Sequence, residues 1–481
     1  MEGREAGARG GRAAARYLEA CLRQAGLRPS GTAGGYAQRF GEDCQNLLGS
    51  LPGTDPRVAD EIVVVGAHYD HVGYGRSSAA GNAPGLIHNG ADDNASGTAA
   101  ILEVAAALQA AGYRPRRTVL FAWWDAEEKG LVGSRHFAAH PTVDGQRIRI
   151  AVNVDMIGRL EDGRLEVSGT RTGAGLRRLA SFRATPPDLQ LDFTWDLQDN
   201  SDHHAFIERG IPALNLHTGL HDDYHRPTDD VERLNLRGME LVARYVLELT
   251  CELADAERLP SFRPLGRSEN GAAQRQLETP SAAPVSRLGV QWLWEARREG
   301  GAARLLHVAE GGGAHRAGLR QGDAIVGVEG GRFAAQQQFP AAVLAAPTRI
   351  ALHVERAPRD ADDASSPASP SASEVVEAEL QGPPIRLGIA WRHDPAEPRA
   401  ALVTRVTPHS PAARAQLQLR DRIQGINGAR FAQPEEFLAL LTQSLASSEQ
   451  RLVLEVERAG RVVDCQVDLR FPEPVEVDAS L

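Results

Sequence analysis

A run of four apolar residues, Ile62-Val63-Val64-Val65, constrains the fold of this chain more than any other feature. It offers no polar side chain to either face of an extended strand, so it predicts a strand that is buried on both faces. Similar runs follow at Thr118–Trp124, Ile148–Val154 and Pro212–Leu216. Because helical segments separate these runs, the sequence predicts an α/β domain with a mostly parallel mixed sheet flanked by helices.

Three segments beside these strands have helical patterns. Residues 12–28 place apolar side chains near one face, Ala95–Ala111 is rich in Ala and Leu and ends before Gly112, and Val231–Ala256 is a long apolar-periodic segment. We therefore predict a helix over each of these three segments.

Composition limits the classes of function that are open to the chain. Its 481 residues predict two to four domains. A net charge of -10 argues against non-specific nucleic-acid binding, which requires a basic face. No apolar run approaches the roughly 18–20 residues that cross a bilayer, and no signal-peptide pattern follows the basic segment 1–16.

Two breaks in composition divide the chain after its first domain. Residues 260–284 carry Pro, Ser, Gly and Gln without a period, and Arg359–Pro384 has too little apolar surface to fold. The predicted divisions are 1–258 for the α/β domain, 259–284 for a linker, 285–358 for one module, 359–384 for a disordered linker, 385–472 for a second module and 473–481 for a tail.

The two modules are copies of one another. Arg287–Val290 matches Arg386–Ile389, and Ala317–Ile325 matches Ala415–Ile423, with an offset of 98 or 99 residues. This period is too long for a solenoid repeat, so it predicts a duplicated small domain.

Histidine and acidic residues follow each predicted strand of the first domain. The carboxyl ends of strands line the ligand crevice of an open α/β sheet, so these side chains are expected to meet there. They are His68 and Asp70 after the first strand, Glu127 and Glu128 after the second, Asp155 after the third and His225 after the fourth, with Asp92 and Asp93 in a loop that leads into a helix.

Two histidines and three carboxylates form a donor set that suits two zinc ions. One carboxylate can bridge two ions about 3.5–4 Å apart, and a further carboxylate is needed to accept a proton from a bound water. The adjacent Glu127 and Glu128 can supply both a ligand and a base, and Asp70 is placed to orient His68. His217 and His221 lie close to His225, and spacing does not choose among the three.

Five motifs together resemble the zinc aminopeptidase family of bacterial leucyl aminopeptidase and aminopeptidase Y, which also includes glutaminyl-peptide cyclases and plasma glutamate carboxypeptidase. They occur in the order of the family and span roughly residues 12–256. The motifs are His68-Tyr69-Asp70, Gly90–Gly97, Ala126–Ser134, Asn153–Met156 and Asp223–Asp229.

The resemblance implies a role for each site residue. Asp92 would bridge two zinc ions, a cis peptide bond would join it to Asp93, and His225 is favoured over its neighbours. The resemblance implies that one zinc ion is held by His68 and Asp155 and the other by Glu128 and His225, with Glu127 as the general base. Asp70, placed by its spacing to orient His68, is counted with Glu127 among the predicted catalytic residues.

Other candidate residues are predicted to have roles other than metal binding. Ser201-Asp202-His203 resembles a segment near the substrate pocket of the family. We expect this segment either to line the pocket or to have a structural role. Those predicted not to bind metal are His71, His88, His203 and His204, and those predicted to lie in the core are Trp123 and Trp124.

The two modules resemble PDZ domains of the bacterial HtrA protease type. Such domains bind an extended peptide at a sheet edge and its terminal carboxylate in a loop, here Arg287–Val290 and Arg386–Ile389. In the second copy Gln416 and Arg420 replace the glycines of the first, so a reshaped turn is expected if those glycines have positive φ. The alternative is that one or both copies only pack against the catalytic domain.

The resemblance therefore implies a two-zinc aminopeptidase that removes N-terminal residues from peptides, with PDZ-like modules that recruit substrates or partner proteins. A zinc carboxypeptidase, a glutaminyl-peptide cyclase and a non-catalytic adaptor on the same fold are the alternatives. It also implies an extracytoplasmic location, although the sequence shows no export signal.

Overall fold

The computed structural model describes residues 2–75, 84–283, 286–298, 300–328, 331–357, 373–447 and 449–471. The chain forms two compact units. Unit 1 comprises Met1–Leu277 with Asp394–Arg399 and Glu457–Val463, and unit 2 comprises the remainder. The predicted tail 473–481 and most of the predicted linker 359–384 lie outside the described residues.

Unit 1 contains a nine-stranded mixed sheet, as the sequence predicts for an α/β domain. Its strands follow the order β1-β3-β5-β4-β6-β9-β7-β8, with β2 paired to β3, and the central strands β5, β4, β6 and β9 are parallel. The strands are β1 (Arg28–Pro29), β2 (Ala37–Phe40), β3 (Cys44–Leu51), β4 (Ile62–His68), β5 (Thr118–Trp124), β6 (Ile148–Val154), β7 (Arg164–Ser168), β8 (Gln190–Phe193) and β9 (Ala213–His217).

Both faces of the central strands are buried. Val63 and Val65 belong to one apolar cluster, whereas Ile62 and Val64 belong to another, so alternate residues of β4 point to opposite faces of the sheet. Trp123 and Trp124 are divided between the same two clusters. They are 0% and 1% exposed, which confirms that both are core residues.

Seven helices are described for unit 1: α1 (Arg9–Gln24), α2 (Gly97–Ala110), α3 (Val132–Ala139), α4 (Leu176–Leu179), α5 (His203–Glu208), α6 (Leu236–Asp255) and α7 (Gly271–Glu278). The three predicted helices are present within a few residues of their expected bounds. Helix α7 lies inside the segment 259–284 that was expected to be a linker without secondary structure. Among the described residues, no helix is both long and apolar enough to cross a membrane.

Unit 2 contains one six-stranded antiparallel sheet and most of a second sheet with the same strand order, parts of whose last two strands belong to unit 1. The first is β10-β11-β12-β14-β15 with β13 paired to β12, and the second is β16-β17-β18-β20-β21 with β19 paired to β18. The elements are β10 (Val290–Ala296), β11 (Gly301–Val308), α8 (Gly313–Arg316), β12 (Ala324–Val328), β13 (Gly331–Arg332), α9 (Gln338–Ala345), β14 (Arg349–Glu355), β15 (Glu374–Glu379), β16 (Ile389–His393), β17 (Ala401–Val406), α10 (Pro411–Arg414), β18 (Arg422–Ile426), β19 (Ala429–Arg430), α11 (Pro434–Ala446), β20 (Arg451–Arg458) and β21 (Arg461–Asp468).

The duplication extends to an aromatic contact in each sheet. Trp292 meets Phe339 edge to face at a centroid distance of 5.2 Å, and Trp391 meets Phe437 in the same way at 5.2 Å. In both copies a tryptophan of the first strand therefore packs against a phenylalanine of the long helix, as expected for one module present twice.

Two expectations for these modules require correction. Glu374–Glu379, placed in a disordered linker, forms β15 and pairs with β14. The turn of the second copy is not reshaped: Gln416 and Arg420 have φ values of 59° and 71°, close to the 74° and 89° of the glycines that they replace. Left-handed backbone is therefore retained there by non-glycine residues.

Candidate metal centre

The candidate site lies where four parallel strands of unit 1 end. Strand β4 ends at His68, β5 is followed by Glu127 and Glu128, β6 is followed by Asp155, and β9 leads into the loop that contains His225. The structure therefore brings these predicted residues to one edge of the sheet, as expected for the crevice of an open α/β sheet.

Asp93 lies at the centre of this edge. Its Oδ1 is 3.4 Å from His68 Nε2, and its Oδ2 is 3.1 Å from His225 Nε2. Asp155 Oδ1 is 3.3 Å from His68 Nε2, and Glu128 Oε2 is 3.1 Å from His225 Nε2. Two groups of potential metal ligands result, namely His68, Asp93 and Asp155, and His71, Asp93, Glu128 and His225.

Asp92 does not join either group among the described residues, and Asp93 takes the place that was expected for it. The Asp92 carboxylate points elsewhere because its Oδ1 accepts hydrogen bonds from Gly158 N at 2.5 Å and Ser96 Oγ at 2.9 Å. The cis peptide bond is likewise one residue later than expected, between Asp93 and Asn94.

Asp70 connects the first strand end to the second. Its Oδ1 accepts a hydrogen bond from Glu127 N at 3.0 Å, and its Oδ2 lies 3.4 Å from Glu128 N. His68 Nδ1 lies 3.3 Å from the Asp70 carbonyl oxygen and 3.7 Å from its Oδ1. The Asp70 carboxylate therefore holds the turn of both glutamates, and its backbone carbonyl oxygen faces the His68 ring.

Burial and charge change the acid–base properties of these groups. Burial, together with Asp202, Asp155 and Glu128, raises the pKa of Glu127 well above its ordinary value. Burial alone would lower the pKa of His225, but the adjacent carboxylates of Asp93 and Glu128 raise that pKa to about 10. In the absence of bound metal, Glu127 is therefore a stronger proton acceptor than an exposed glutamate.

Further carboxylate and hydroxyl groups fix the ligands. Asp229 Oδ2 accepts hydrogen bonds from Asp92 N at 2.9 Å and Asp93 N at 3.0 Å. These bonds fix the backbone of the turn that carries Asp93. Ser201 Oγ donates to Asp155 Oδ2 at 2.5 Å. The sequence pointed to Ser201 only through the segment Ser201-Asp202-His203, which resembles one near the substrate pocket of the family. It pointed to Asp229 only as the last residue of the fifth motif.

Arg4, which the sequence did not single out, holds the same loops together. Its guanidinium donates to the carbonyl oxygens of Tyr69 at 2.8 Å, Asn89 at 2.5 Å and Gly90 at 3.0 Å, with Asp93 O at 3.4 Å. One side chain thus links the end of β4 to the loop that carries Asp93.

The neighbouring histidines have different environments. His221 Nε2 lies 3.2 Å from Asp92 Oδ2, and His217 Nδ1 accepts a hydrogen bond from Gly219 N at 2.7 Å. His203 is 0% exposed, and burial lowers its pKa to about 4. Among the described residues, neither His217, His221 nor His203 belongs to the two ligand groups.

The donor chemistry of the two groups fits zinc. Imidazole nitrogen and carboxylate oxygen are ligands that zinc accepts. Asp93 Oδ2 is buried and lacks a hydrogen-bond partner among the described residues, although it lies between two imidazoles. A buried carboxylate oxygen left without a donor is expected where a cation completes its coordination.

Residues 46–250 match the sequence profile of peptidase family M28. This part of the chain is an M28 peptidase domain. All of the metal-centre residues described above except Arg4 fall inside the matched segment, so the resemblance to zinc aminopeptidases is confirmed for this domain. No comparison tests the likeness of the modules to PDZ domains, which stays a prediction.

Relatives of the M28 domain include leupeptin-inactivating enzyme 1 of Streptomyces exfoliatus, with 30% identity over 190 residues that cover 39% of this chain and 38% of that protein. Aminopeptidase Y of Saccharomyces cerevisiae is 30% identical over 207 residues, covering 40% of this chain and 35% of that protein. The chain thus spans less than half the length of either relative. The solved structure of the Legionella pneumophila LapA aminopeptidase matches with a TM-score of 0.45 and 23% identity, covering 54% of this chain and 69% of that one.

Proposed function

We propose that the chain is a two-zinc aminopeptidase that removes N-terminal residues from peptides. The observation that carries the proposal is the Asp93 carboxylate, whose two oxygens face two separate ligand groups. A carboxylate in this position suits two ions that share one bridging ligand. The names of the curated relatives, which include aminopeptidases, favour this activity among those of M28 domains.

Each residue of the site has a role in this proposal. His68 and Asp155 would hold one zinc ion, Glu128 and His225 would hold the other, and Asp93 would be shared by both. When bound, the two ions would lower the pKa of a water and polarise the scissile carbonyl group.

Glu127 takes the proton from the attacking water and passes it to the leaving amine. Asp70 holds Glu127 in position through its backbone N–H, at 3.0 Å. Since Glu127 is buried beside other carboxylates, its raised pKa suits a group that must accept and then return a proton.

Adjacent aspartates allow a matched test of the bridge. Asp93→Asn should reduce bound zinc below two ions per chain and abolish hydrolysis of aminoacyl-p-nitroanilides. Asp92→Asn should keep both ions, because Asp92 accepts hydrogen bonds at Oδ1 and lies outside both groups among the described residues. Loss of zinc in Asp92→Asn but not in Asp93→Asn would overturn the assignment of the bridge.

Substrate assays separate the aminopeptidase from its enzymatic alternatives. Peptides with a free N-terminus should be shortened whether their C-terminus is free or amidated, and N-acetylated peptides should resist. Cleavage that depends on a free C-terminus would indicate a carboxypeptidase. Release of pyroglutamyl peptide from a glutaminyl peptide would indicate a cyclase.

The adaptor alternative predicts a protein without catalytic activity. Glu127→Gln should lower kcat by about 10²–10⁴-fold while zinc content stays unchanged, since general acid–base catalysis contributes about this much. A wild-type chain with less than one zinc ion, and a Glu127→Gln variant that behaves like it, would favour the adaptor.

We also propose that the two modules of unit 2 bind extended peptides as PDZ-like domains. Strands β10 and β16 are each the first strand of their sheet order and pair with one neighbour among the described strands, so an edge remains for an added strand. Titration with a peptide that has a free C-terminal carboxylate should give heat, and its amidated form should not. The extracytoplasmic location implied by the family stays a prediction.

A further inference from the structure

His71 is the member of the second ligand group that the family motifs do not supply. It is 1% exposed, and its Nδ1 lies 2.7 Å from Glu128 Oε1 and 3.7 Å from Asp93 Oδ2. A side chain in this position could bind a metal ion directly, or it could donate a hydrogen bond to a residue that does. The distances and the partners of its ring distinguish these two roles.

The distances favour a hydrogen bond. Donor atoms about 2.1 Å from one tetrahedral ion are roughly 3.4 Å apart, and the four histidine–carboxylate distances around Asp93 in the proposed ligand sets are 3.1 to 3.4 Å. The His71–Glu128 distance of 2.7 Å is shorter, and it is typical of a charge-assisted hydrogen bond. It also involves Oε1 of Glu128, whereas Oε2 faces His225.

The second nitrogen of the ring gives the same answer. A histidine that binds metal almost always donates its other N–H to an acceptor. His68 follows this rule, because its Nδ1 faces the Asp70 carbonyl oxygen at 3.3 Å while its Nε2 faces the ligand group. His71 Nε2 is buried and has no hydrogen-bond partner among the described residues. With Nδ1 on a metal ion, the Nε2 proton would be left buried without an acceptor.

The His71 ring is held in this orientation by its surroundings. A Cβ atom on Gly90 would lie 2.5 Å from Cγ and Cδ2 of the ring, so the ring rests directly on the glycine backbone. The His225 ring meets it edge to face at a centroid distance of 5.6 Å. The His71 backbone N donates to the Arg4 carbonyl oxygen at 3.3 Å.

We propose that His71 is a positioning residue, whose Nδ1–H donates to Glu128 Oε1 and so presents Oε2 of that glutamate to the metal ion that His225 binds. This inference rests on the proposed two-zinc function. It explains how a flexible glutamate keeps one oxygen toward the ligand group without assigning His71 to the coordination sphere.

Three substitutions at position 71 test the role of Nδ1. An asparagine in the same rotamer places its amide N–H near the Nδ1 position, whereas a glutamine places it near Nε2. We therefore expect His71→Asn to retain zinc affinity close to that of the wild type. His71→Ala and His71→Gln should weaken one of the two zinc ions by about 10–100-fold, which is the usual effect of removing a partner that orients a ligand.

The measurement is zinc affinity by competition with a chromophoric chelator, together with the visible spectrum of the cobalt(II)-substituted protein. The spectrum of His71→Asn should match that of the wild type, since no ligand is lost. Exposed His140→Ala is the control for loss of an imidazole elsewhere in unit 1.

Each outcome is decisive. If His71→Asn binds zinc as poorly as His71→Ala and its cobalt spectrum changes, His71 is a ligand and the proposal fails. If His71→Ala binds zinc like the wild type, His71 has neither role. A wild-type chain that binds fewer than two zinc ions would instead refute the proposed function, whatever the variants do.

Discussion

Replacing Arg4 by alanine tests whether the first residues of the chain are part of the metal centre. The Arg4 side chain donates to carbonyl oxygens of Tyr69, Asn89 and Gly90 at 2.5 to 3.0 Å, with a weaker contact to Asp93 O at 3.4 Å. Hydrogen bonds to charged groups contribute about 1.5–3 kcal/mol each when buried. Because Arg4 is half-buried and water can replace part of each contact, we take about 1 kcal/mol for each of the three shorter ones.

The expected loss of about 3 kcal/mol corresponds to a fall in Tm of about 6–12 °C for a domain of this size. Calorimetry should be done first on protein freed of metal with a chelator, since bound zinc stabilises the folded state by mass action. Zinc affinity measured afterwards should also fall, because Arg4 braces the loop that carries Asp93.

Two further variants separate this effect from a general loss of charge. Arg4→Lys keeps the charge but loses the planar fork of donors, so it should recover only part of the lost stability. Arg9→Ala removes a neighbouring arginine that is 81% exposed and pairs with Glu2, and it should cost less than about 1 kcal/mol. The reasoning is refuted if Arg4→Ala unfolds within about 2 °C of the wild type.

Three further predictions follow from single contacts. Gly318→Gln should destabilise the first module by about 1 kcal/mol in chemical unfolding. The cost comes from the left-handed backbone, where φ is 74°, and not from a clash, since an added Cβ would meet no atom within 4 Å. The reverse change in the second module, Gln416→Gly, should have a smaller or opposite effect on its stability. Burial alone would raise the pKa of Glu269, but two arginine side chains lower it from 4.5 to about 2, so its stabilising effect is present above pH 4.5 and is lost as the pH falls through 2. Because Glu269 is partly exposed and solvent screens its ion pairs, Glu269→Gln should lower stability at pH 7 by only about 1–2 kcal/mol, and this deficit should shrink in acid unfolding series toward pH 2. Ser201→Ala should weaken zinc binding by about 10–100-fold in chelator competition, because Asp155 loses a hydrogen bond of 2.5 Å.

The fold of unit 1 was predictable because its central strands are buried on both faces. An uninterrupted apolar run such as Ile62–Val65 fits few structures other than a strand buried on both faces. The structure places alternate residues of this run in two apolar clusters, as the two-residue period of side chains along a strand requires. The antiparallel outer strands were not predicted, because short strands such as Arg28–Pro29 are set by pairing rather than by their own composition.

Pairing also explains the error at the second composition break. The segment 359–384 has low overall apolar content, yet Val376 and Ala378 within it are 9% and 1% exposed in β15. Two apolar side chains on one face of β15 are enough for this strand to pair with β14. They raise the mean apolar content of the 26-residue segment only slightly, because most of its residues are polar or small. The matching strand β21 of the second copy shows that this edge belongs to the module.

The choice between adjacent aspartates shows what sequence spacing cannot determine at the metal centre. Asp92 and Asp93 have the same chemistry and follow the same strand, so either could be the bridge until backbone direction is known. In the structure the Asp92 carboxylate accepts from Gly158 N and Ser96 Oγ, and these donors commit it to holding the turn. Asp93 then presents both oxygens to the ligand groups because Asp229 fixes the backbone N–H groups of the pair from the other side. The bridge is therefore defined by the groups that fix the Asp92 carboxylate and the backbone of the pair, and two of these groups, Gly158 and Asp229, lie more than sixty residues away along the chain.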